Sequence, residues 1–402
     1  MSKKNDDFFV EKKPWSDVKD QLLGCYLKPY VTKILHTGKP LVYVDCFAGK
    51  GKFDDGNPGS PLIALDIMQQ SLSNSKANGH LQILPAFIDL NYADDLRNNL
   101  KDYPRAKIVS GAYENTIDDL LKNKNGCNVF LYIDPYGIKS LNCQKFDELA
   151  DGKFNSIELL INMNSFGFIR EGCRVMGKQF KMDDSFFDDL VEYAPTIFDI
   201  SDKSIEALNQ IAGGAYWQSI IKQFSNGEID GYKAEEYFAE QYCQRLTKSF
   251  KYVLNMPIRI KEGQHTKYRM IHATNHPDGC ILMADNICNR WELMRQIQTG
   301  GQLSLLPETV DNQIIDETEI RNNVIEHFSQ CNNWVSLNKA LAVFFVNYGI
   351  VCKSGEITTI LKRLEKEKQL EVMRNPSITE KGKPTSFMTE GRGQTVSVKW
   401  VR

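Results

Sequence analysis

Three short stretches combine residue types that could hold a nucleotide-like ligand and present a nucleophile to it. The first, Asp45-Cys46-Phe47-Ala48-Gly49-Lys50-Gly51-Lys52, follows the apolar run PLVYV. Glycines at 49 and 51 let a backbone turn sharply and come close to a ligand. A dinucleotide fingerprint wants G-x-G-x-x-G, and Asp54 stands where its third glycine belongs. An acid four residues before the first glycine instead suits a ligand with an ammonium group and a ribose. The second stretch ends in Asp89, whose carboxylate can accept both hydroxyls of a ribose. The third is Ile133-Asp134-Pro135-Tyr136-Gly137. Asp134 and a carbonyl near Pro135 can accept hydrogen bonds from an exocyclic NH2, which aims the nitrogen lone pair at a methyl donor. Tyr136 can stack on the base, an interaction worth ~1–3 kcal/mol, and a base in a duplex must first be flipped out. Each stretch alone also reads as an ordinary structural turn or a solvated strand end.

These residues need elements to hold them. Residues 40–47, 81–89, 106–113, 127–134 and 156–163 read as buried strands, with helical patterns such as LNYADDLRNNL between them. Alternating strands and helices predict a parallel α/β sheet. Residues 15–36 have Leu22, Leu23, Tyr26 and Leu27 at helical spacing and predict an amphipathic helix before the first strand. The three chemical stretches then fall at the ends of strands one, two and four. Gly111-Ala112-Tyr113-Glu114, after strand three, fits a wall for an adenine ring. S-adenosylmethionine (SAM) has the ammonium, the ribose and the adenine that this series would recognise.

Residues 165–228 break the rhythm and read as a helical insertion over the strand ends. A helix at 232–250 and strands at 251–258 and 267–274 resume it. Residues 298–315 read as a linker. From 316 the grammar changes: Asp316 with Glu319 makes a capping box before Ile320, Val324 and Phe328. Two more helices follow, then LEVM and TVSVKW. Three helices and a β-ribbon predict a C-terminal winged helix-turn-helix over 316–402, after a sheet domain over 1–297.

Composition sets the outer limits. The chain has 402 residues, which allows two or three domains. With 21 Phe, 16 Tyr and 5 Trp it is far too aromatic for a disordered chain. No apolar run approaches the ~20 residues of a membrane span, and MSKKNDDFFVEKKPW has no secretory apolar core. Net charge is -2, yet residues 317–402 carry 13 Lys and Arg against 9 Asp and Glu, while the remainder carries 36 against 42. A mildly basic tail on an acidic body hints at a nucleic-acid contact. The 10 cysteines include no C-x-x-C pair, so they read as reduced structural thiols of a cytoplasmic protein and not as a zinc site.

Taken together, VDCFAGKGKFDDGNPGSPLIAL, KPWSDVKDQLLGCYLKPY, the DPYG box and ATNHPDGCILMADNI resemble the three-Cys-motif partner family (TcmP) over roughly residues 8–295. That family is similar to class I SAM-dependent methyltransferases, so the resemblance implies a Rossmann-like sheet and SAM as cofactor. It also implies association with a second protein bearing three cysteines, which resembles radical-SAM enzymes. By position, Asp45, Phe47, Gly49 and Gly51 would form the SAM loop, with Asp89 on the ribose and Ala112 and Tyr113 beside the adenine. Asp134, Pro135 and Tyr136 would hold the acceptor amine. Adenine-N6 enzymes usually read D/N-P-P-Y, and DPYG is closer to the D-P-F-G box of a tRNA guanine-N2 family, so the acceptor base stays open. The expected activity is methyl transfer to an exocyclic base amine of RNA or DNA; the alternative is a non-catalytic or SAM-sensing partner subunit. His265, His272 and His276 read as ordinary strand or cap histidines. Arg170, Arg174, Lys178 and Lys181 read as a solvated face or a phosphate track, and Gly213-Gly214-Ala215-Tyr216-Trp217 as a hinge or as core packing.

Overall fold

The computed structural model describes residues 6–74, 82–181, 201–258, 266, 268–298, 316–391 and 393–401. It divides into two compact units between Asn275 and His276. The first unit is built on seven strands: β1 (Leu41–Asp45), β2 (Ile83–Asp89), β3 (Lys107–Ser110), β4 (Asn128–Ile133), β5 (Ser156–Met163), β6 (Tyr252–Ile258) and β7 (Tyr268–Thr274). Their order is 3-2-1-4-5-7-6. β1 to β5 are parallel, and β7 runs antiparallel to both β5 and β6. This is a mixed α/β sheet of Rossmann-like type. The chain leaves β1 toward β2 on one side and reaches β4 on the other, so a crevice opens at the carboxyl ends of β1 and β4.

Why these segments pair is visible in their burial. β1 and β4 are buried at every position, as expected of parallel strands covered on both faces. Alternate residues point to opposite sides. Val42, Val44, Val129, Leu131, Leu159 and Ile161 face one core. Tyr43 and Phe130 face the other, stacked at 5.8 Å and 8°, and α1 (Pro14–Leu35) covers them with Tyr26 and Tyr30.

The first core is closed by α4 (Tyr113–Leu121), α5 (Cys143–Ala150), α6 (Ser165–Val175), α7 (Asp202–Ala212), α8 (Trp217–Ser225) and α9 (Gly231–Leu246). The described residues of this unit also form α2 (Ser60–Asn74) and α3 (Ala93–Asn99). The helical stretch expected to lie over the strand ends is thus part of the main core: Phe168, Trp217 and Ile221 share it with Leu131 and Ile161. Residues 182–200 of that stretch fall outside the described residues. Gly213 ends α7 in the left-handed region and Trp217 is fully buried, with its Nε1 donating to Asn209 at 2.9 Å. Core packing after a tight turn is the reading that holds there.

The second unit begins with α10 (Pro277–Gln298). The boundary expected at 297 therefore differs from the observed division by this one helix. Then come α11 (Glu317–Ser329), β8 (Val335–Ser336), α12 (Leu337–Tyr348), α13 (Ser354–Lys366), β9 (Leu370–Asn375) and β10 (Thr395–Trp400). The strands form an antiparallel sheet in the order 8-10-9. Asp316 caps α11 by accepting from Glu319 N at 2.8 Å. Among the described residues no helix is long and apolar enough to cross a membrane.

Candidate functional site

A cleft of about 730 Å³, part of it open to solvent, lies at the carboxyl ends of β1 and β4. One wall is the turn after β1, with Phe47, Gly49 and Gly51. The facing wall is Asp134, Pro135 and Tyr136. Seven of the nominated residues matter to it differently: these six line it, and Asp45 lies beneath it.

Asp45 is fully buried. Its Oδ1 accepts from Phe47 N at 3.2 Å and its Oδ2 accepts from Ser60 Oγ at 2.6 Å. The first bond is an Asx turn, the local device by which Asp reverses a chain. The second ties that turn to the first residue of α2. Burial pushes the Asp45 carboxyl up to about 7, against the hydrogen bonds from Ser60 and Phe47, with Asp134 and Asp20 adding repulsion. Gly49 and Gly51 have φ of 59° and 77°, a region that costs other residues ~1–2 kcal/mol. A Cβ on Gly49 would sit 2.8 Å from the Phe9 ring, and one on Gly51 would sit 2.7 Å from Leu96. The close approach these glycines allow is therefore to the protein's own side chains.

Asp89 ends β2 and joins two turns. Its Oδ2 accepts from Gly49 N at 2.9 Å, and its Oδ1 accepts from Asn91 N and Tyr92 N at 2.8 and 2.7 Å. Three backbone donors take three of the roughly four acceptor positions of a carboxylate. Ala112 is the N-cap residue of α4, and Tyr113 is 2% exposed and part of the core. Tyr113, expected beside the adenine, stands behind Phe47, ring centroids 5.6 Å apart, and is not among the residues that line this cleft.

On the facing wall, Asp134 continues β4 and is held from two sides. Lys19 Nζ donates to its Oδ2 at 2.8 Å, and Asn162 Nδ2 donates to its Oδ1 at 2.6 Å. Lys19 comes from α1 and Asn162 from β5. The Lys19 ammonium also lies 5.5 Å from the centre of the Tyr268 ring. Tyr136 is 40% exposed, and the edge of Phe8 meets it at 5.7 Å.

Sequence reading passed over two contributors. The first is α1, which places Ser16, Lys19 and Asp20 in the cleft wall; their spacing of three and four residues puts them on one helix face. Asp20 is paired with Lys12 at 2.9 Å, and burial pushes its carboxyl up to about 6 despite Lys12 and Lys19. The second is a short 3-10 helix, Asp6–Phe9, whose Phe8 and Phe9 pack on Phe53 and line the cleft. Phe9 O accepts from Asp54 N at 2.8 Å, and Lys12 N donates to Asp55 at 3.0 Å. The available signals were the paired Phe residues at the N-terminus and the polar triplet inside an otherwise apolar helix. Of the residues set aside earlier, His265 lies outside the described residues, His272 is buried against Glu158 at 3.0 Å, and Arg174 is engaged by Glu171.

No family model matches the chain, and no curated protein matches it. Among solved structures it is similar to Trm1 from Pyrococcus horikoshii with S-adenosyl-L-methionine, at 8% identity and TM-score 0.31, covering 84% of this chain and 90% of that one. It is similar to the plantazolicin methyltransferase BamL with SAH at 10% identity and TM-score 0.28, covering 65% and 85%. For the CurJ carbon methyltransferase the values are 11%, 0.28, 59% and 48%, so the chain spans about half the length of that relative.

Proposed function

We propose that the chain is a SAM-dependent methyltransferase acting on an exocyclic base amine of nucleic acid. The observation that carries this is the cleft in which the glycine turn after β1 faces Asp134-Pro135-Tyr136 at the switch point of the sheet. Asp45, Phe47, Gly49 and Gly51 shape the cofactor wall, with Asp89 fastening it. SAM supplies an activated methyl group, so the protein's task is positioning and electrostatics. Asp134 accepts a hydrogen bond from the amine and turns its lone pair toward that methyl. Tyr136, exposed at the rim, stacks on the base. The second unit is read as a winged helix that adds affinity for RNA or DNA, although on α13 and β9 Arg363 faces Glu317 and Arg374 is held by Glu365.

The test is transfer of radiolabelled methyl from SAM to unmodified RNA and DNA. Asp134→Ala should lower transfer at least about a hundredfold while calorimetry shows SAM still binding to a folded protein. No transfer by the wild type to either pool would sink the catalytic reading.

A second reading has its own support. Both oxygens of Asp134 already hold donors from Lys19 and Asn162, as suits a non-catalytic or SAM-sensing partner of a three-cysteine protein. A stable heterocomplex on copurification, with no methyl transfer, would favour it.

A further inference from the structure

The cleft contains more acid than the proposed chemistry uses. The charge of Asp134 raises the proton affinity of Asp20, and Asp134 and Asp20 together add to that of Asp45. The ammonium groups set among them are Lys12, on Asp20 at 2.9 Å, and Lys19, on Asp134 at 2.8 Å. Lys52 stands exposed at the rim. Lys12 is shared with the exposed Asp17 at 3.2 Å, so three carboxylates against two ammoniums leave this corner at least one negative charge in excess when all are ionised, and an uncompensated buried charge is costly. An acidic corner by itself identifies no ligand. A second, independent feature does: Ser16 is 5% exposed, lines the cleft, and its Oγ has no hydrogen-bond partner among the described residues. Buried hydroxyls are ordinarily paired. Ser16 and Asp20 stand one helical turn apart on the face of α1 that borders the cleft.

We propose that Ser16 and Asp20 of α1 form the subsite for the ammonium group at the amino-acid end of the cofactor. This rests on the reading of the cleft as a SAM site and deepens it. An alkylammonium has three N–H donors. Asp20 offers a carboxylate that already carries Lys12 on one oxygen, and Ser16 offers an acceptor with nothing on it. The positive charge of the ammonium group offsets the excess negative charge of the corner. The glycine turn and α1 then divide the cofactor between them: the turn faces the nucleoside and the helix faces the amino acid. Asp134 is left to the acceptor amine.

Calorimetric titration of the full chain with three probes tests this division. S-adenosylhomocysteine and SAM carry the amino-acid end, and 5′-methylthioadenosine lacks it. The wild type should bind S-adenosylhomocysteine at least about tenfold more tightly than methylthioadenosine, the scale of one lost charge-assisted hydrogen bond. Asp20→Asn should weaken S-adenosylhomocysteine about tenfold and leave methylthioadenosine within about twofold. Ser16→Ala breaks no existing bond, so it serves where Asp20→Asn fails to fold; it should weaken S-adenosylhomocysteine about threefold to tenfold in the same selective pattern. An equal loss for both probes in either folded variant, or no loss for S-adenosylhomocysteine, overturns the proposal. Failure of the wild type to bind SAM and S-adenosylhomocysteine at all is a different result, and it overturns the SAM reading beneath.

Discussion

The two walls of the cleft hold their carboxylates by different means. On the glycine-turn side, Asp45 and Asp89 spend their oxygens on Ser60 and on four backbone N–H groups. Those amide donors belong to every residue type but proline, so the wall depends on turn geometry more than on its neighbours' identities. On the facing side, Asp134 is held by the side chains of Lys19, 115 positions away, and Asn162, 28 positions away. These donors can be deleted or turned aside one at a time. The glycine-turn wall is thus built as scaffold, and the Asp134 wall as an adjustable charge arrangement.

The sharpest way to break that contrast is Lys19→Met. It keeps the aliphatic length under Tyr268 and removes the ammonium, leaving Asp134 beside Asp20 and Asp45 without its nearest cation. Lys19 is 7% exposed and Asp134 22% by side chain. Losing one partner of a fully buried pair costs ~3–5 kcal/mol, and the partial exposure of Asp134 brings the expected loss to about 2–4 kcal/mol. Urea denaturation at pH 7.5 measures it. An unchanged midpoint would mean that the Asp134 wall does not depend on the pair.

The next effect belongs to the two buried carboxyls and to pH. Asp45 is raised from its ordinary range to about 7 and Asp20 to about 6, both by burial. A carboxyl raised in the folded state favours folding most when protonated. Its contribution is therefore complete below about pH 4, the unfolded value, and is lost as pH rises through the folded values of about 6 and 7. The melting temperature of the free protein should fall over that window, by up to a few kcal/mol of stability for the two groups. Asp45→Asn should flatten the upper part of the fall. A wild-type profile that is flat from pH 5 to 8 would show Asp45 to be solvated.

Legibility in the sequence follows the same division. The strands could be read because Leu41–Asp45 and Asn128–Ile133 are buried on both faces, so they appear as unbroken apolar runs. The glycine turn could be read because Asp45, Gly49 and Gly51 act within one local turn. Lys19 and Asn162 could not, since nothing near Asp134 in the chain announces which helix will cross it. The packing of Tyr113 was equally out of view: its place after β3 suggests a wall for an adenine, and its large ring packs in the core behind Phe47. The N-terminal Phe8 and Phe9 meet the site only through the fold, packing on Phe53 and beside Gly49.

A smaller effect separates backbone conformation from packing within the scaffold wall. Gly51 and Gly56 both have positive φ, 77° and 90°. A Cβ on Gly51 meets Leu96 at 2.7 Å, while one on Gly56 meets nothing within 4 Å. Gly56→Ala should cost only the strain, ~1 kcal/mol. Gly51→Ala should cost about 2–3 kcal/mol, the strain plus the displacement of Leu96. Equal losses by thermal denaturation would remove packing from the account of this turn.

The finest test exchanges one atom of the scaffold wall. Asp89→Asn preserves shape and keeps one acceptor oxygen. Turned toward Asn91 N and Tyr92 N, that oxygen still takes both donors, and the new amide group then faces Gly49 N, donor against donor. Turned the other way, it keeps Gly49 and strands the other two. Either orientation leaves at least one part-buried N–H without its acceptor, which costs ~1–3 kcal/mol; the open rim, where water can reach, sets the expectation near 1 kcal/mol. The signature is local: hydrogen exchange at Gly49 should quicken about tenfold if the first orientation wins, with Tyr92 unchanged. If exchange at both Gly49 and Tyr92 is unaltered, the three bonds to Asp89 do not hold the turn, and the scaffold wall would be as adjustable as the wall that faces it.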